Sequence, residues 1–340
     1  MNSGLLKQLG NIDQLAGIRL ERIESGNGGG SRLIHVWNAA GLSFSIQPDK
    51  CLDLYDCSFQ GVNLAFHSKN GLSANSRFLP EASEFFHYWS GGMLATCGLG
   101  NAGGADTGDL LDPQPIHGRI GYAAADALSM DTFWDGEDYV LSVSGRMRES
   151  RLYGRALELH RQIRTALFST EIEITDTVTN LTDAPEPVFL LYHFNFGYPL
   201  LDAESRFFGP RADTIEYSSM GDPSYCSMHA PVDGAAQQTF LHRPLHSGET
   251  RTGLFHPKRN IAAYLRYDTQ LLPYLVEWKC LKSHDYVLAV EPANCPANNR
   301  QTDLGTQSVP ILGAYESLRY TVTLGIASGA EAASLYENSR

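Results

Sequence analysis

No two of the six cysteines (Cys51, Cys57, Cys97, Cys226, Cys280, Cys295) are spaced C-x-x-C, so neither a zinc ribbon nor a disulfide framework is indicated. They read as reduced and mostly packed. No stretch of roughly 18 apolar residues occurs, which excludes a membrane-spanning helix. The opening MNSGLLKQLGNIDQLAG also lacks the apolar run of about 7 to 15 residues that a secretory signal needs. The expected compartment is the cytoplasm, where the sequon Asn180-Leu181-Thr182 stays unglycosylated. Runs of Lys or Arg are absent too, and 38 acidic residues outweigh 26 basic ones. With a net charge of −12 the chain is a poor partner for nucleic acid. A neutral or weakly charged small molecule fits better, and a homodimer is compatible with the sequence.

Helical periodicity is equally scarce. Short candidates fall at Leu5 to Leu9, near Pro80 to Tyr88, and at Ala330 to Tyr336. Strand-like runs dominate instead: Arg32 to Trp37, Leu42 to Ile46, Tyr139 to Val143, Ile172 to Val178, Val188 to Tyr192, Ile261 to Tyr267 and Tyr286 to Val290. In Glu171-Ile172-Glu173-Ile174-Thr175 the alternation places both isoleucines on one face. Many strands with few crossover helices predict packed antiparallel sheets, not βαβ units. No repeat, linker or boundary divides residues 1–340, so one large all-β domain is expected.

Gly98-Leu99-Gly100-Asn101-Ala102-Gly103 fits the dinucleotide pattern G-x-G-x-x-G, but its surroundings do not. A helix must begin at those glycines to meet a pyrophosphate, whereas GADTGDLLDPQP follows. The segment reads as a tight loop whose glycines permit positive φ or close backbone approach.

Three other segments carry residues with usable chemistry. LLYHFNFGYPLLD, from Leu190 to Asp202, leads an apolar strand into His193, whose imidazole titrates near neutrality, and Asn195, a hydroxyl partner. Phe194, Phe196 and Tyr198 offer apolar faces. PQPIHGRIGY holds His117-Gly118-Arg119 after a proline-rich loop, with Arg119 able to present a fork to oxygen-rich ligands. In YVLAVEPANCP the apolar strand Tyr286 to Val290 ends at Glu291 and breaks at Pro292. A strand-end carboxylate is costly unless paired or used, and partial burial makes it a better proton acceptor. By residue type alone each has a plainer reading: a core histidine, a loop histidine beside a solvated arginine, a glutamate reaching water.

Taken in order, these segments resemble the aldose 1-epimerase (galactose mutarotase-like) superfamily, in a poorly characterised branch of it. The motifs are Pro48-Asp49-Lys50-Cys51-Leu52-Asp53, Gly91-Gly92-Met93-Leu94-Ala95-Thr96-Cys97-Gly98-Leu99, His117-Gly118-Arg119, Tyr192 to Pro199, and Val290 to Cys295. The resemblance implies a large antiparallel β-sandwich with few short helices and an isomerase that needs no metal or redox cofactor. His193 would be the general acid, Glu291 the general base and His117 a second active-site histidine. Asn195, Arg119, Trp278, Lys279 and Lys50 would contact a small carbohydrate, Trp278 by stacking. Lys50-Cys51 departs from the Arg-Gly usual in the branch, replacing a planar fork by a point charge. Two alternatives stay open: epimerisation at a sugar carbon on the same scaffold, and a non-catalytic carbohydrate-binding or sensing protein.

Overall fold

Alternation in Ala156–Ala166 sets Leu157, Leu159, Arg161 and Ile163 inward, all of them buried. On the neighbouring strand Glu171–Asn180, Ile172 and Ile174 are fully buried, as their spacing demands. Each such aliphatic side chain taken out of water contributes about 1.5–3 kcal/mol. The structure is a computed structural model that describes residues 4, 7–77, 79, 84–216 and 224–338.

The strands form a five-stranded, an eight-stranded and a six-stranded sheet with a small two-stranded one, and every strand pair is antiparallel. The six-stranded sheet runs in the order Ala212–Glu216, Gln238–Pro244, Tyr274–Lys282, Asp285–Ala293, Phe189–Phe196, Leu94–Leu99. One face contributes Tyr192, Phe194, Leu288 and Val290 to the main core, where they meet Leu159, Ile163, Ile174 and Leu324 of the eight-stranded sheet. Its other face carries His193 and Glu291. The five-stranded sheet supplies Asp53–Phe59 and the turn before it, which reaches the same region.

Every expected strand is present, several of them longer than the apolar run suggests. Asp285–Ala293 corrects the expected break at Pro292: the strand passes through it, with Pro292 opposite Leu275. Its ladder with Phe189–Phe196 pairs Leu191 with Ala293 and next Phe194 with Val290, so the prolyl nitrogen falls where the ladder is open. Helices are short. Phe85–Tyr88 lies within the expected stretch, whose residues 80–83 are outside the described ones, and Ala330–Asn338 extends the C-terminal candidate. Of Leu5 to Leu9, Leu5 and Leu6 lie outside the described residues and Lys7 and Gln8 form a turn.

No helix follows the G-x-G-x-x-G segment; turns and bends do. A Cβ on Gly103 would stand 2.1 Å from the Ala297 carbonyl oxygen, so close backbone approach is what that glycine serves. All six cysteines are free, five of them buried and Cys226 exposed. Among the described residues no helix is long and apolar enough to cross a membrane.

Candidate active site

His193 lies mid-strand in Phe189–Phe196 and Glu291 near the end of Asp285–Ala293, and the pairs flanking them (Leu191 with Ala293, Phe194 with Val290) put the two residues opposite one another. Their side chains therefore emerge on one face of the sheet. His193 Nε2 lies 3.2 Å from Glu291 Oε1, and both side chains are almost wholly buried. No hydrogen bond forms across that approach, and His193 Nδ1 and Glu291 Oε1 have no hydrogen-bond partner among the described residues. Buried polar atoms are seldom left unspent unless something else is to use them.

Burial sets the protonation of this pair. Loss of hydration pushes His193 down to about 3, with nearby His117 adding to the effect, and pushes Glu291 well above the usual carboxylate range. At neutral pH the imidazole is therefore neutral, and burial favours the protonated form of the carboxyl.

His117 joins them from the loop after the Gly98 segment. Its ring centroid is 5.4 Å from that of His193, nearly perpendicular to it. The backbone is left-handed there (φ +61°), a strained state that costs about 1–3 kcal/mol. Two contacts hold it: His117 N–H donates to the Gly103 carbonyl and Nδ1 donates to that of Ala102, each at 2.8 Å. With Nδ1 committed as donor, and removal from water lowering its pKa, neutral His117 keeps Nε2 as an acceptor. Gly118 makes the crossing possible, since at φ +73° any Cβ would meet the Gly98 carbonyl oxygen at 2.1 Å.

Aromatic rings close the space around the pair. The Trp278 ring lies 5.9 Å from His193 and 5.9 Å from Trp89, and its indole N–H donates to Gln237 Oε1 at 2.9 Å. Trp89 in turn packs 5.7 Å from His193 and 5.7 Å from Phe85. A narrow cleft opens beside them. Gln47, Lys50, Tyr122, His117, Trp89 and His193 line it.

Of the residues expected at the site, His193, Glu291, His117, Trp278 and Lys50 come together. Asn195, two residues on and on the same sheet face, is fully buried, and its amide N–H groups donate to the Gly92 and His193 carbonyls at 2.9 Å, so it braces backbone. Two expectations are corrected. Lys279 follows Trp278 in the strand and so points to the opposite face, over the Phe240 ring, donating to the Ser224 carbonyl at 2.6 Å. Arg119 turns away to the Pro113 carbonyl at 2.5 Å and toward Asp112.

Four contributors were not anticipated: Trp89, Phe85, Tyr122 and Arg161. Arg161 is fully buried beneath the cleft, gripping Asp176 through two nitrogens (2.8 and 2.7 Å) and reaching Asp53, Thr96 and the Cys51 carbonyl. Tyr192 O–H completes the set, donating to Asp176 at 2.8 Å. A charged residue in phase with Leu157, Leu159 and Ile163 was the available signal.

The stacked antiparallel sheets define the galactose mutarotase-like β-sandwich. A putative aldose 1-epimerase from Klebsiella pneumoniae has the same fold at TM-score 0.90 and 21% identity, over 96% of this chain and 89% of that one. A galactose mutarotase-like protein from Clostridium acetobutylicum (TM-score 0.63, 15% identity, 93% and 100% covered) and galactose 1-epimerase from Lactobacillus acidophilus (0.56, 12%, 92% and 99%) share it. At such identities the likeness establishes the fold. The chain itself belongs to the family described as a domain of unknown function, DUF4432, matched over residues 28–326. No curated protein matches the sequence.

Proposed function

We propose that this protein is an aldose 1-epimerase-like isomerase that interconverts the anomers of a reducing sugar. The observation that carries the reading is the opposed His193–Glu291 pair, 3.2 Å apart, with His193 lining an aromatic-walled cleft. Opening a pyranose requires removal of the O1 proton and protonation of the ring oxygen. In this reading Glu291 serves as the carboxylate base and His193 as the imidazolium acid. Glu291 then takes the proton of O1 while His193 protonates O5, and the C1–O5 bond breaks. Rotation about C1–C2 and the reverse transfers close the other anomer. Each proton-transfer group contributes about 10²- to 10⁴-fold.

Trp278 and Trp89 offer faces for the apolar side of the ring, and His117 Nε2 accepts from a hydroxyl. The free thiols fit a reducing compartment, the cytoplasm. The test is anomer exchange of a panel of sugars followed by NMR. Wild type should accelerate it, and Glu291→Gln with His193→Asn should abolish the acceleration. If no sugar exchanges faster with wild type than with the double variant, the reading fails. Deuterium entering from solvent at a sugar carbon would instead identify a carbon epimerase, and binding without turnover a sensing protein.

A further inference from the structure

We propose that Lys50 recognises a carboxylate on the substrate, so that the preferred ligand is a sugar acid of the hexuronate type; this rests on the reading of the cleft as a sugar site. Lys50 is 9% exposed and lines the same cleft as His193 and His117. Its ammonium has three donors, yet it makes one long hydrogen bond, 3.4 Å to Ser90 Oγ, and sits 6.0 Å over the Tyr122 ring. No carboxylate lies within 4 Å of it among the described residues. A sheltered cation so weakly satisfied is costly in the free protein and is relieved by an anion.

The one acidic side chain that acts on Lys50 is already spent. Asp53 accepts from Thr96 N–H at 2.9 Å, from Thr96 Oγ1 at 2.5 Å and from Arg161 at 3.0 Å. Burial lowers Lys50 to about 8, with Asp53 opposing the shift, so the charge is retained at neutral pH. Its position is fixed by a turn in which Cys51 and Leu52 are both left-handed (φ 54° and 55°). Cys51 N–H donates to the Ala123 carbonyl at 2.8 Å, and Arg161 holds the Cys51 carbonyl at 3.0 Å.

The charge count selects a carboxylate over a phosphate. A phosphate monoester carries about −1.5 to −2 and three acceptor oxygens. Here one cation faces the cleft, because Arg161 is engaged by Asp53 and Asp176 and Arg119 points elsewhere. Gln47 lines the cleft beside Lys50 as a neutral donor for a second oxygen. In a hexuronate the carbon bonded to the ring oxygen bears the carboxylate. A group held by Lys50 would thus orient that oxygen toward the histidine side of the cleft.

The experiment compares D-glucuronate and D-galacturonate with D-glucose, D-galactose and their 6-phosphates. Anomer exchange is measured by NMR, and binding by ligand-observed NMR, on wild type, Lys50→Gln and Lys50→Arg. Wild type should prefer a uronate to its matched hexose. Lys50→Gln should lower the uronate-to-hexose ratio of kcat/KM roughly 30-fold, as one charge-assisted hydrogen bond predicts, with Lys50→Arg recovering part of it. Equal treatment of uronate and hexose by wild type, or an unchanged ratio in Lys50→Gln, overturns the proposal. Preference for a 6-phosphate overturns the carboxylate assignment. If no sugar is turned over, Lys50-dependent uronate binding upholds the proposal while the isomerase reading falls. Absence of uronate binding overturns it.

Discussion

Glu291→Gln separates catalysis from folding, because the amide keeps the carboxyl's shape and cannot relay its proton. Loss of one proton-transfer group lowers the rate about 10²- to 10⁴-fold, or about 3–5 kcal/mol of barrier at 1.36 kcal/mol per tenfold. Stability should move the other way. Burial raises the folded pKa of Glu291 above its ordinary 4.5, so the unfolded chain loses that proton first as pH rises. The stability present below pH 4.5 is then lost, at about 1.4 kcal/mol per pH unit, until the folded pKa is reached. Glutamine has no such dependence. The variant should therefore gain on wild type as pH rises above 4.5 while its anomer exchange collapses. Urea denaturation at pH 5, 6, 7 and 8, beside the NMR exchange assay, reads both. Parallel stability curves for the two proteins, or undiminished exchange in the variant, would refute the picture of a buried, unpaired acid that transfers protons.

Other substitutions report on the surroundings. His193 has its pKa lowered to about 3, so its contribution is whole above pH 6.5 and is lost as pH falls toward 3; His193→Asn should lose less stability than wild type between pH 6.5 and 4 in the same denaturation series. Arg161→Met leaves Asp176 buried without its partner and should destabilise the protein by about 3–5 kcal/mol, visible as a lowered melting temperature. Gly118→Ala drives a methyl into the Gly98 carbonyl, so a drop in melting temperature together with reduced kcat is expected. Trp278→Ala removes a stacking face of about 0.5–1.5 kcal/mol and should raise KM by roughly 2- to 13-fold with little change in kcat.

The strands were legible because their apolar residues recur with the period of a pleated sheet, and Ile172 and Ile174 point where that period sends them. Strand length was less legible: Asp138–Ser150 extends well beyond its apolar run Tyr139 to Val143, through residues that pair in the ladder without being apolar. Pro292 misled because a missing N–H reads as a break unless the partner strand is known to leave a gap. For the site, ordered motifs carried His193, Glu291 and His117, whose residue types alone left plainer readings open. Lys279 and Arg119 were misassigned for a local reason. Each follows a site residue closely in sequence, and a strand or turn sends near neighbours in different directions. Trp89 and Phe85 gave little warning, since their contact with the histidines is made across the fold.

The His193–Glu291 pair is set by hydrogen-bond register, not by a loop. A one-residue slip of Asp285–Ala293 against Phe189–Phe196 would bury Glu291 in the main core and bring Val290 or Pro292 to the cleft. The same slip would expose Leu288 and Val290, which the core holds fully buried. A chain that has reached its native core has therefore already set His193 opposite Glu291, and slipped pairings cannot coexist with the native one at similar stability. Insertions in the surface turns should be tolerated by the chemistry. A single residue added between Asp285 and Val290 should abolish activity and fold together.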